Sequence, residues 1–148
     1  MIQVLSTLES MRKRPEMFLD MALARDVAIA LELLTTAMHQ GVDSLTVQKR
    51  AGLRVIGADA NWLYSHDDAP AFHFDRLIDL DGIPNSFRGE VLLTAFATFY
   101  AIVENGKVLY KSSPSVADEV LREVGGAAGP FSVVFHANAT SEGAAPQP

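Results

Sequence analysis

The chain reads as a single α+β domain: a two-layer sandwich with a mixed, mostly antiparallel sheet and its helices on one face. Three observations predict this. Apolar residues recur at helical spacing over 22–40 and 87–98. Short alternating or continuous apolar runs follow each of these segments. Asn105-Gly106 separates Tyr100-Ala101-Ile102-Val103-Glu104 from Lys107-Val108-Leu109-Tyr110-Lys111, a hairpin signal because Asn-Gly suits the positive backbone angles of a type I′ turn.

Taken in order, residues 2–11 predict a short helix with Val4, Leu5, Leu8 and Met11 on one face. Pro15 ends it, since the residue before a proline avoids helical geometry. In 22–40, Val27, Leu31, Leu34 and Met38 form one apolar row. Ala30, Leu33 and Ala37 widen it, so this helix is expected to be buried on more than one side. Gly41 supplies its stop. Leu45 and Val47 alternate with Thr46 and Gln48, and Leu53 and Val55 with Arg54, around a turn at Ala51-Gly52. Residues 58–70 read as irregular, with Trp62 and Tyr64 as anchors; Phe72 and Phe74 flank a further short strand. Pro84-Asn85-Ser86 starts the helix over 87–98. Ser115 with Asp118 or Glu119 starts another. Gly125-Gly126-Ala127-Ala128-Gly129-Pro130 reads as a loop, and Phe131 to Phe135 as the last strand. The domain is expected to span 1–138, with 139–148 as a small, polar, flexible tail.

Composition narrows the function classes. The 148 residues suit one domain with a real core, and 49% of them are apolar. The net charge of −6 argues against a broad nucleic-acid surface, and Arg12-Lys13-Arg14 is too short for a binding stripe. The absence of cysteine excludes disulfides, thiolate catalysis and cysteine metal sites. No apolar run approaches the ~18 residues of a membrane span, and the N-terminal stretch lacks the order of a signal peptide. A soluble cytoplasmic protein is the expectation.

Met11-Arg12-Lys13-Arg14-Pro15-Glu16-Met17-Phe18-Leu19 resembles the R-K-R-P-x-M-Y-I-G stretch of gyrase B-type ATPases, a branch of the GHKL superfamily. The resemblance continues in order along the chain. Glu32-Leu33-Leu34-Thr35-Thr36-Ala37-Met38-His39-Gln40 stands where that family has E-x-x-D-N-S-x-x-E. Gly57-Ala58-Asp59-Ala60-Asn61-Trp62-Leu63 stands at its D-x-G-x-G. Val91-Leu92-Leu93-Thr94-Ala95-Phe96, the Asn105-Gly106-Lys107 turn and Gly129 to Phe135 are similar to later family features. It implies a Bergerat-like fold and an ATP site with Mg²⁺.

Carried onto this chain, the resemblance makes Glu32 the general base, with Thr36 in place of the metal-binding asparagine and Gln40 in place of a second carboxylate. Asp59 is the adenine contact, or Gly57 stands there in an ungapped reading. Asn61 and Leu63 replace two phosphate-side glycines. Asn85-Ser86-Phe87-Arg88-Gly89-Glu90 keeps one glycine of the lid, too few for a backbone N–H cradle around a triphosphate. Glu32, Thr36 and Gln40 share one helix face. A threonine hydroxyl is a short Mg²⁺ ligand whose direction is fixed by β-branching.

The expectation is therefore a non-catalytic interaction or regulatory protein on a degenerate gyrase B-like scaffold, acting on a protein partner and needing no cofactor. The alternatives are a residual ATP-binding protein or weak ATPase using Glu32, Asp59 and Thr36, and a small metal-dependent enzyme. For the last, His39, His66, His73 and His136 lack zinc-site spacing, but His66-Asp67-Asp68 with His73 and Asp75 would bind a metal in a folded loop. Trp62, Tyr64, Phe72 and Phe74 are expected to pin their segment to the core or to form a recognition patch. Homodimerisation through a sheet edge is open to the 107–111 strand, although Lys107 and Lys111 oppose it.

Overall fold

A computed structural model describes residues 7–42, 44–62 and 90–137. Its elements are α1 (Thr7–Lys13), a 3₁₀ turn (Pro15–Met17), α2 (Arg25–His39), β1 (Leu45–Arg50), β2 (Leu53–Ala58), α3 (Glu90–Phe96), β3 (Phe99–Glu104), β4 (Lys107–Lys111), α4 (Asp118–Ala128) and β5 (Phe131–His136). The strands form one open sheet in the order β1-β2-β5-β3-β4, and every neighbouring pair is antiparallel. The α+β class and the antiparallel character of the sheet agree with the sequence reading.

Both hairpins follow from turn chemistry. Ala51 and Gly52 take φ of 54° and 78°, and Asn105 and Gly106 take 52° and 77°. These paired left-handed residues match the right-handed twist of the flanking strands. The first turn fixes the register Arg50↔Leu53 through Leu45↔Ala58.

Alternation along the strands divides the core. Ile56, Tyr100, Ile102, Phe131, Val133 and Phe135 pack with α1, α2 and α3 on one face. Val55, Phe99, Ala101, Val103 and Val134 pack with Leu121, Val124 and Ala128 of α4 on the other. Three helices thus share a face as expected, while α4 covers the opposite one. The reason lies in β3 and β5: Phe99-Tyr100-Ala101-Ile102-Val103 and Phe131-Ser132-Val133-Val134-Phe135 are buried throughout, and a strand apolar on both sides needs cover on both.

Two further differences concern helices. The glycine-rich stretch expected as a loop is the last part of α4, which runs to Ala128. Its small residues let the helix lie close to the sheet: a Cβ on Gly125 would stand 2.6 Å from Ser132 Oγ. The start of that helix has Ala117 at its N-cap, without a side-chain cap, rather than Ser115; the Ser115 hydroxyl pairs with that of Ser113 at 2.8 Å. The α2 arc built from Ala28, Ile29, Ala30, Leu33 and Ala37 is buried, but Val27, Leu31 and Met38 are exposed. The small Ala28, Ala30 and Ala37 let one flank settle into the core, which leaves the second apolar row on the surface.

Candidate functional site

The basic run that carries the family resemblance has a structural role. Arg12 lies in the last turn of α1. Its Nε donates to the Ala95 carbonyl at 3.0 Å and its Nη2 to the Thr94 carbonyl at 2.8 Å. These carbonyls belong to the last turn of α3, where intrahelical donors run out. Arg14 instead pairs with Glu16 at 2.7 Å in the exposed 3₁₀ turn. Met11 and Leu19, on either side of Pro15, are buried.

Glu32 is half-buried on α2, and burial pushes its carboxyl above the ordinary value. Thr36 is buried one turn later, with its hydroxyl donating to the Glu32 carbonyl at 3.0 Å. This back-bond uses the hydroxyl proton and leaves an oxygen lone pair for any ligand. Asp59 is exposed in the bend after β2. Gly57 lies on the sheet face that meets α4, where a Cβ would overlap the Ala128 carbonyl, so this glycine accommodates helix packing. Trp62 is fully buried and meets Phe131 edge-on at 5.1 Å, as expected of a core anchor. Leu63, Tyr64, the His66-Asp67-Asp68/His73/Asp75 group, Phe72, Phe74 and lid residues 85–89 lie outside the described residues. Among the described residues no group of three histidine or acidic side chains is placed to hold a metal, and no helix is long and apolar enough to cross a membrane.

The sequence did not single out the open flank of α2 and the edge strand beside it. Arg25, at the start of α2, lies over the Phe96 ring of α3 at 5.2 Å. The row Val27, Leu31 and Met38 sits on the other side of the helix barrel. The edge strand β1 lies beyond β2 on the side away from α3's neighbour β3. Strand alternation places Leu45, Val47 and Lys49, opposite Ala58, Ile56 and Arg54, on the α2 side of the sheet. Val27, Leu31, Met38 and Val47 are 40%, 45%, 64% and 43% exposed, large values for apolar residues on two adjacent elements.

At the N-terminal end of α2 this surface runs into a cleft of about 340 Å³, lined by Asp26, Val27, Lys49, Arg54, Phe135 and His136 among others. Arg54 Nη2 donates to Asp26 Oδ2 at 2.9 Å, and Lys49 Nζ stands 3.8 Å from the same oxygen. Burial raises the Asp26 carboxyl, but the Arg54 hydrogen bond and charge, helped by Lys49, outweigh it and hold the carboxyl below its ordinary value. Arg54 Nε is buried without a hydrogen-bond partner among the described residues. Among the described residues two cations therefore face one carboxylate. The sequence signals were the acidic residue in the first helical turn and the two cations paired across the β1–β2 hairpin.

Comparison with protein-family models, curated proteins and solved structures finds no match for this chain.

Proposed function

We propose that this chain is a non-catalytic interaction protein that regulates or neutralises a partner protein, on a scaffold resembling a degenerate gyrase B-type ATPase. The observation that carries this reading is the exposed apolar row of Val27, Leu31 and Met38 on α2, together with exposed Val47 on β1, the edge strand among the described residues. Exposed apolar side chains clustered on adjacent elements mark interaction surfaces more often than isolated ones do. The resemblance supplies the scaffold. The replacements at Thr36, Gln40, Asn61 and Leu63 speak against turnover.

The test is native affinity capture with the full chain and with a Leu31→Lys/Met38→Lys double variant. A partner held by the wild type and released by the variant is expected. Equal recovery with both proteins would remove the α2 surface from the function.

The competing reading, residual ATP binding, draws on Glu32, whose raised basicity suits a general base. Calorimetric titration with ATP–Mg²⁺ decides it. Saturable binding that is weakened by Asp59→Ala would favour the nucleotide reading over a purely interactive one, and a flat titration would reject it.

A further inference from the structure

Resting on the interaction reading above, we propose that β1 takes an added antiparallel strand from its partner, and that this segment carries the pattern acidic-x-apolar-x-apolar. The two-residue turn at Ala51-Gly52 makes Arg50 and Leu53 a hydrogen-bonded pair. By alternation, Gln48 and Thr46 also direct their backbone groups toward β2. The N–H and C=O groups of Lys49, Val47 and Leu45 therefore point to the edge that no described strand pairs. These residues also carry their side chains on the α2 side. A strand added here places the residues opposite 45, 47 and 49 on that same side, with Val27 of α2 beside the Lys49 end.

The chemistry differs along the groove. Opposite Leu45 and Val47 the new side chains meet half-buried and exposed apolar surface. Opposite Lys49 they meet the cleft, where Lys49 and Arg54 share, among the described residues, the single carboxylate of Asp26. An aspartate or glutamate there balances the second cation. Because the segment runs antiparallel to β1, the acidic residue comes first and the two apolar residues follow at alternate positions. Antiparallel addition continues the pairing found throughout this sheet. The other edge, β4, is a poorer acceptor: its register with β3 shifts between Ile102 and Val103, and Lys111 is held by Asp118 at 2.7 Å.

The experiment is selection of random heptapeptides displayed on phage against the full chain, then selection against Lys49→Glu. Lys49 is 58% exposed, so this variant leaves the core untouched. Acidic-x-apolar-x-apolar peptides are expected from the wild type. Charge reversal is expected to weaken them about fivefold to tenfold and to enrich a basic first residue instead. A purely structural role for Lys49 would not change the selected charge. No enrichment, or a pattern indifferent to Lys49→Glu, would overturn the proposal. So would sedimentation of the full chain as a dimer that Val47→Lys dissociates, which would give this edge to a second copy. If capture of a partner depends on Leu31 and Met38 while display yields nothing, strand addition falls and the interaction reading stands. If display succeeds but native capture is indifferent to those residues, the helix surface falls and the edge remains.

Discussion

Two adjacent glycines in α4 should respond in opposite directions to the same substitution. Gly125 faces the sheet: an added Cβ would stand 2.6 Å from Ser132 Oγ, 2.9 Å from Val103 Cβ and 3.1 Å from Val103 Cγ1. Ordinary contact begins at 3.4 Å. The helix would have to rise by several tenths of an ångström or displace Val103, which is held between β4 and β5. Alanine gains up to about 1 kcal/mol of helix propensity over glycine. With two atoms under 3.0 Å from the added Cβ, the overpacking cost falls in the upper part of its range, about 2–3 kcal/mol, so Gly125→Ala is expected to lose about 1–2 kcal/mol net. At this chain length that lowers Tm by about 3–6 °C. Gly126 is exposed and meets nothing within 4 Å. Gly126→Ala should therefore keep the propensity gain, about 0.5–1 kcal/mol, and raise Tm by about 1–3 °C. Thermal unfolding followed by circular dichroism, with urea denaturation to check that the m-value is unchanged, measures both. A Gly125→Ala protein as stable as the wild type would refute the close approach of α4 to β3 and β5.

Other consequences follow from single side chains. Arg12→Ala leaves the Thr94 and Ala95 carbonyls without their charged donor, at a cost of about 1–2 kcal/mol in urea denaturation; Arg12→Lys should recover only part of it, because one ammonium does not reproduce the two-pronged donor. Asp26→Asn removes the carboxylate facing Arg54, and about 2–3 kcal/mol near neutral pH is expected to be lost. The Asp26 carboxyl is held below its unfolded value of 3.8, so its contribution is present above that value and lost as pH falls through the folded one. The wild type and Asp26→Asn should accordingly converge in acid-dependent melting. Glu32 has the opposite sign: burial raises it above 4.5. Its carboxylic acid form fits the fold better, and that stability fades as pH rises through the folded value. Glu32→Gln should melt higher than the wild type near pH 7 and equally at about pH 4; a lower melting point at neutral pH would show that the carboxylate has a stabilising partner.

Local chemistry made most elements legible. Asn105-Gly106 and Gly52 mark turns because asparagine and glycine tolerate positive φ, and Pro15 stops α1. Trp62 was open to a core or a recognition role, and its burial against Phe131 decides for the core. Glu32, Thr36 and Asp59 could be located on a helix and after a strand, but family order says nothing about what surrounds them; burial of Glu32 and exposure of Asp59 depend on distant parts of the chain.

Local sequence was enough to place the two hairpin turns, the stop at Pro15, the long helix that became α2, and a mostly antiparallel sheet. Those properties arise from backbone sterics and side-chain period. Only the tertiary structure decided that α4 continues through Gly125-Gly126, because intrinsic propensity there is overruled by the fit of small residues against Val103 and Ser132. It also decided which apolar arc of α2 is buried. Both arcs have helical spacing, and the alanine-rich one can approach the core more closely. Val27, Leu31 and Met38 are left outside, and this surface carries the proposed function.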